Sequence, residues 1–161
     1  MDARYRSEIE CLYLQMYNQL FEYARSSLSS DALAEEAVQE TFRIACQKPD
    51  ALCTCPNPEG WLVNTLKNVI ANMKRSRTVA NRILKDYYTL QIKNGAVSND
   101  REELEILYDD IAQSEEFKLL KEMAIDGMSH LEMARLRGIS VEACRKRVER
   151  AKKLLKEKLL N

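Results

Sequence analysis

Residues 129–155 read SHLEMARLRGISVEACRKRVERAKKLL, and the layout of this stretch decides the fold of the C-terminal part of the chain. Ser129 and Glu132 stand three apart, the spacing that closes a capping box at a helix start. The short helix that follows carries Ala134, small enough to let two helices approach closely. It stops at Gly138, which supplies the tight turn. Ile139 plugs the core and Ser140 caps the next helix. Val141, Cys144, Val148, Ala151 and Leu155 then fall on one face at helical spacing. The outward side offers Glu142, Lys146, Glu149, Arg150 and Lys153, flanked by Arg145 and Arg147. This is the layout of a helix-turn-helix. A DNA major groove admits one α-helix, whose side chains reach base edges while flanking cations hold phosphates and set the register. The competing reading is a basic amphipathic helix that ends a bundle and binds nothing.

Upstream of this motif, the spacing predicts a helix over 114–126 with Phe117, Leu120, Met123 and Ala124 inward and Gly127 as a left-handed cap. Residues 94–110 read as a linker containing Asn94-Gly95 and an acidic run, with room for one helical turn at 102–107. Toward the N-terminus, Ile9, Leu12, Met16, Leu20 and Tyr23 mark a helix over 7–27, broken by Ser26-Ser27-Leu28-Ser29-Ser30. A second helix is expected from Asp31, as N-cap, to Cys46. Ala34, Ala37, Val38, Thr41, Phe42 and Ala45 form its inner stripe, and Asp31, Glu35, Glu36, Gln39, Glu40 and Arg43 its outer side. Residues 47–57 read as a loop holding Cys53-Thr54-Cys55. Asn57-Pro58-Glu59 then opens a third helix with Asn at the cap, Pro in the first turn and an acid at the positive end of the helix dipole. Trp61, Leu62, Thr65, Leu66, Val69, Ile70 and Met73 cover half of its circumference. Asn64, Lys67, Asn68, Ala71, Lys74 and Arg75 occupy the other half, and 79–93 continues as helix.

Charge is segregated along a chain of 161 residues with 25 basic and 25 acidic side chains. Residues 61–93 hold seven basic and one acidic residue, 98–116 one basic and eight acidic, and 141–161 eight basic and three acidic. Each basic block alone could be a solvated helix face. Two of them, on separate helical patterns, point to a polyanion partner.

Composition excludes several classes. Four glycines and three prolines argue against a turn-rich all-β fold. No apolar run approaches the roughly 18 residues of a membrane helix, and the first residues carry no secretory pattern, so a cytoplasmic protein without membrane association is expected. Five scattered cysteines do not read as a disulfide framework. With one histidine, His130, and no glycine-rich phosphate loop, the material for a triad, a nucleotide site or a His-based zinc centre is missing. No enzyme, cofactor or metal site is expected. Cys46, Cys53 and Cys55 could form a soft metal or redox site, but a fourth ligand is not evident. Trp61 and His130 read as core and capping-box residues rather than as a base-stacking platform and a ligand.

Three stretches, taken in order, resemble bacterial RNA polymerase sigma factors of the extracytoplasmic-function (ECF) group. Residues 31–42, DALAEEAVQETF, are similar to the polymerase-binding helix of sigma region two. Trp61-Leu62, Asn68 and Lys74-Arg75-Ser76-Arg77 are similar to the helix that melts the promoter and reads its −10 element. Gly138-Ile139-Ser140 and residues 147–152, RVERAK, are similar to the −35-reading helix of sigma region four. The family pattern has Asp where Glu36 and Asn72 stand here, and the Cys53-Thr54-Cys55-Pro56 segment has no counterpart in it.

The resemblance implies an all-α protein of two small helical domains joined by an acidic linker. They are a region two-like bundle over 1–93, a linker over 94–113 and a region four-like helix-turn-helix over 114–161. It also implies no covalent chemistry: the chain binds core RNA polymerase and directs it to promoter DNA. Asp31, Glu35, Glu36, Gln39, Glu40 and Arg43 would meet a coiled coil of the largest polymerase subunit. Asn64, Lys67, Asn68, Lys74, Arg75 and Arg77 would receive the −10 element, with residues 47–60 forming the pocket for an extruded base. Glu142, Arg145, Lys146, Arg147, Arg150 and Lys153 would read the −35 element. The linker would thread toward the polymerase's cationic channel, and Phe117, Leu119 and Met123 would touch the β flap. An anti-sigma factor is the usual further partner in the family. The alternatives are a stand-alone helix-turn-helix regulator that binds an operator without polymerase, and an adaptor that holds polymerase without reading DNA.

Overall fold

The computed structural model describes residues 3–93 and 113–160, and among them every regular element is a helix. The expected linker 94–113, with its acidic run and the turn at 102–107, lies outside the described residues except at Gln113. Helix α1 spans Ala3–Ser27, α2 Asp31–Gln47, α3 Pro49–Cys53 and α4 Pro58–Lys93. Then come α5, Glu115–Lys121, which runs directly into a π-helical turn at Glu122–Asp126; α6, His130–Arg137; and α7, Val141–Leu160.

Packing divides the chain into Met1–Lys74 and Arg75–Asn161, a division that falls inside α4 rather than at residue 93. In the first unit the predicted stripes meet in one core. Ile9, Leu12, Met16 and Leu20 of α1 join Ala34, Ala37, Val38, Phe42 and Ala45 of α2 and Leu62, Leu66, Val69 and Ile70 of α4. Tyr13 adds an edge-on contact to Phe42, with ring centroids 4.9 Å apart. Trp61 is half-buried against this core, as its place at the head of the apolar stripe suggests. The buried Thr41 hydroxyl donates to the Ala37 carbonyl at 2.8 Å, which removes the cost of an unpaired donor in apolar surroundings.

Two local expectations change. Ser30, not Asp31, caps α2: its backbone is extended (φ −150°, ψ 154°) and its Oγ accepts the Leu33 N–H at 3.2 Å. Asp31 becomes the first-turn acid that complements the helix dipole. Within the expected 47–57 loop, 49–53 forms α3, with Pro49 at the first turn, where a missing N–H costs nothing. Leu52, fully buried, anchors α3 to the core.

The second unit is built on a separate core. Ala80, Ile83, Leu84 and Tyr87 from the C-terminal half of α4 join Phe117, Leu119, Leu120, Met123, Ala124, Met133 and Ala134. Cys144, Val148, Ala151 and Leu155 of α7 complete it, each with no exposed surface. Tyr87 and Phe117 pack with ring centroids 5.6 Å apart. The capping box is present in full, with the Glu132 N–H donating to Ser129 Oγ at 3.1 Å and the Ser129 N–H to Glu132 Oε2 at 2.9 Å. Gly138 turns the chain at φ 61°, and Ser140 Oγ accepts the Ala143 N–H at 3.1 Å. Gly127 ends the π-helical turn at φ 72°, with the Met128 N–H closing back on the Glu122 carbonyl at 3.2 Å. A side chain there would also meet Arg77, whose Nη2 lies 2.8 Å from the place a Cβ would take.

Candidate nucleic-acid and polymerase interface

Helix α7 presents the most coherent surface. At 100° per residue, positions 142, 145, 146, 149, 150 and 153 lie on one side, opposite the buried stripe. Glu142, Arg145, Lys146, Glu149, Arg150 and Lys153 line one shallow, open depression there. Five of them are the residues expected to read the −35 element, and Glu149 belongs to the same outward face. The sixth, Arg147, is half-buried and lies outside this group. Lys146 stands 4.0 Å from Glu142, and Lys153 3.9 Å from Glu157, so the cations are moderated by acids one turn away. The capped turn at 138–140 fixes where this face begins.

Sequence reasoning missed Lys152. It lies on the inner side of α7, 6% exposed, and its Nζ donates to Ser76 Oγ and to a Glu149 carboxylate oxygen, both at 2.7 Å. The signal was there in the spacing: 148, 151, 152 and 155 follow the inward rows of a helix, so a lysine at 152 must bury its stem.

Along α4, Asn64, Lys67, Asn68, Lys74 and Arg75 are all exposed. Lys67 Nζ lies 5.9 Å from the centre of the Tyr23 ring, close enough for a cation–π contact with α1. Arg77 is only half-exposed and its guanidinium sits against Gly127. The six residues expected at the −10 element are therefore divided: Asn64, Lys67, Asn68 and Lys74 belong to the first unit, Arg75 and Arg77 to the second.

On α2 the expected outer side is polar but largely self-paired. Arg43 grips Glu40 through two bonds, Nη2 to Oε1 at 2.6 Å and Nε to Oε2 at 2.8 Å. Gln39 donates to Glu35 at 3.1 Å, and Arg25 Nε lies 3.7 Å from Asp31. Burial first, then Tyr13 and Glu35 nearby, pushes the Tyr17 phenol above its ordinary range. Glu36 overturns its expected place: it is 3% exposed, on the core side of α2. Two positions after Ala34 and two before Val38, it falls at the margin of the apolar stripe, where a small rotation of the helix decides exposure.

Two further expectations change here. Phe117, Leu119 and Met123 are buried in the core of the second unit and are not free for a flap contact. Residues 47–53 of the expected base pocket are taken up by the end of α2 and by α3, and 58–60 by the first turn of α4, which leaves 54–57 as the stretch between helices. The Cys53 thiol is pushed up by burial and by a hydrogen bond with Glu8, which keeps it neutral and poorly nucleophilic. Among the described residues, no group of three or more His, Cys, Asp or Glu side chains is placed to hold a metal. No described helix is long and apolar enough to cross a membrane.

Residues 12–80 match the family described as sigma-70 region 2. Among solved structures, the RsbN–BldN complex is similar at 19% identity, covering 92% of this chain and 89% of that chain, with a TM-score of 0.38. A likeness that slight carries no structural argument. Curated proteins gave no match.

Proposed function

We infer that the chain is a sigma-70 factor, a reading supported by the match of residues 12–80 to sigma-70 region 2. On that premise we propose that it is an initiation factor of the ECF type, binding core RNA polymerase and directing it to promoters with −10 and −35 elements. The observation that carries this reading is the second cationic helix face, on α7, which lies outside the matched region and forms the second helix of a complete helix-turn-helix.

In this reading the first unit meets polymerase through the exposed and half-exposed polar side chains of α2: Asp31, Glu35, Gln39, Glu40 and Arg43. Glu36 supports that helix from within instead of touching the partner. The exposed amides and cations Asn64, Lys67, Asn68, Lys74 and Arg75 receive the −10 element, where amides suit unpaired base edges and cations suit phosphates. Extruding a base costs a few kcal/mol, so a pocket must return a comparable amount; residues 54–57 and the first turn of α4 are the place for it. In the second unit, Arg145, Lys146 and Arg150 face base edges and phosphates of the −35 major groove, with Glu142 near the helix start and Lys153 farther along. Arg147 takes a flanking phosphate. The acidic linker over 94–113 would thread toward the polymerase's cationic channel, and an anti-sigma protein is the further partner that the family resemblance suggests. No bond is made or broken by the chain itself.

The test is run-off transcription with core polymerase, with and without the protein, on host genomic fragments, followed by start-site mapping. Discrete new starts sharing two upstream boxes are expected. Failure to bind core polymerase refutes the reading. Tight, sequence-specific binding by the free chain, unaffected by polymerase, supports a stand-alone regulator instead.

A further inference from the structure

One aromatic ring of the first unit is left uncommitted, and it lies beside the residues assigned to the −10 element. Tyr23, near the C-terminal end of α1, is 41% exposed. Tyr13 is equally exposed, but its ring packs on Tyr17 and Phe42, at centroid distances of 5.2 and 4.9 Å. Trp61 is packed against the core at the head of α4. Among the described residues no second ring packs on Tyr23. What stands over it is the ammonium of Lys67, with Nζ 5.9 Å from the ring centre.

Helical spacing explains the placement. The buried row of α1 runs through Met16, Leu20 and Ala24, and Tyr23 falls on the flank of that row, one residue before Ala24. On α4, Lys67 is exposed, three residues after exposed Asn64 and next to exposed Asn68. Side chains three or four apart have Cβ atoms about 5–6 Å from each other. The Tyr23 ring therefore borders the face of Asn64, Lys67 and Asn68 at its Lys67 edge, and all four residues belong to the first unit. A π face, a cation and two amides are the parts of a single-strand site. Rings stack on unpaired bases, cations hold phosphates and amides bond base edges. A cation–π contact at an exposed site is weaker than the stacking of a base on a ring, so a base can displace Lys67.

We propose that Tyr23 is a stacking platform for an unpaired base of the opened −10 strand, and that Lys67 moves from the ring to a phosphate when the strand arrives. The inference rests on the reading under Proposed function and adds to its α4 residues a contact from α1. Stacked bases of one strand lie about 3.4 Å apart, whereas the ammonium stands 5.9 Å from the ring centre, beyond the plane such a base takes. The flexible lysine stem carries the charge aside as the base enters. Every base has a π face, so Tyr23 helps to hold the strand open and leaves the choice of sequence to the amides.

The test uses holoenzyme assembled from core polymerase and the full chain, bound to forked promoter DNA whose mapped −10 box is unpaired. Tyr23→Leu should weaken binding to the fork by about 5- to 150-fold, with core binding on gel filtration and the preference among −10 sequences unchanged. Tyr23→Phe, which keeps the ring, should bind like the parent. Removing single bases along the unpaired strand then locates the partner. At one position the loss should weaken the parent and Tyr23→Phe alike and cost Tyr23→Leu nothing further. Losses that add at every position overturn the inference and leave the function standing, as does a leucine variant that binds like the parent. On the unaltered protein, iodouracil at the located position should photocross-link to Tyr23, read by mass spectrometry; cross-links that map only to other residues overturn the inference. If the parent holoenzyme does not form or does not bind the fork, the function fails and this inference with it.

Discussion

Replacing Lys152 separates two contributions that the structure superimposes. Its side chain is 8% exposed, with bonds to Ser76 and Glu149. Lys152→Met keeps a stem of similar length and removes the ammonium. The bond to a neutral hydroxyl is worth about 1 kcal/mol net. The pair with Glu149, whose side chain is 66% exposed, is worth less than about 1 kcal/mol because water screens that carboxylate. Against these losses stands the relief of no longer desolvating an ammonium, of comparable or greater size. The methionine variant should therefore stay within about 1 kcal/mol of the parent. Lys152→Ala also removes three buried stem atoms at about 0.8 kcal/mol each, so it should cost about 2–3 kcal/mol, spread between lost packing and the cavity left behind. Urea unfolding of the full chain, followed by circular dichroism, reads both. If the methionine variant is as unstable as the alanine variant, the charged bonds dominate and the packing argument is wrong.

Arg150→Ala should weaken −35-dependent promoter binding by the holoenzyme by about 1–3 kcal/mol if it holds a base bidentately; quantitative gel shifts measure this, and an unchanged affinity removes Arg150 from the interface. Gly127→Ala should destabilise the chain more than Gly138→Ala, because both glycines have positive φ but only residue 127 also faces the Arg77 guanidinium. Left-handed strain alone costs about 1–2 kcal/mol, so the difference between their urea midpoints reports the Arg77 contact. Burial holds the Tyr88 phenol above its ordinary value of 10.0. Its contribution to stability is therefore complete below pH 10.0 and is lost as pH rises through the higher value of the folded state. Tyr88→Phe should flatten the alkaline fall of the melting temperature above about pH 10; an identical fall in both proteins would place the titrating group elsewhere.

The second unit was the more legible part of the chain, because its determinants are local. Ser129 and Glu132, Gly127, Gly138 and Ser140 each act within one helical turn, and each does what its spacing predicts. The inner stripes of α1, α2 and α4 were legible for the same reason. What the pattern could not carry is tertiary. Residues 79–93 read as helix, but nothing in a periodicity of 3.6 says which core the helix serves, and Ile83, Leu84 and Tyr87 pack with α5 and α7. Phe117 and Met123 read as apolar, and only the presence of Tyr87 decides that they are covered. Glu36 sits at a stripe margin, where sequence leaves a carboxylate's exposure open. Ser30 and Asp31 are both good caps, and the extended backbone at Ser30 made the choice. The surface of α7 was legible as a face, but its internal acid partners and the inward turn of Lys152 needed the packed neighbours.

The chain also carries a built-in clock for the opening of its second half. Of its five free thiols, Cys11 and Cys46 are exposed and Cys53 and Cys55 half-buried, whereas Cys144 is sealed on the inner face of α7 with no accessible surface. A thiol-reactive dye will therefore consume the outer sulfurs early and leave one slow event. The rate of that last event times how often α7, which carries Cys144, lifts away from its core, with no label engineered into the protein.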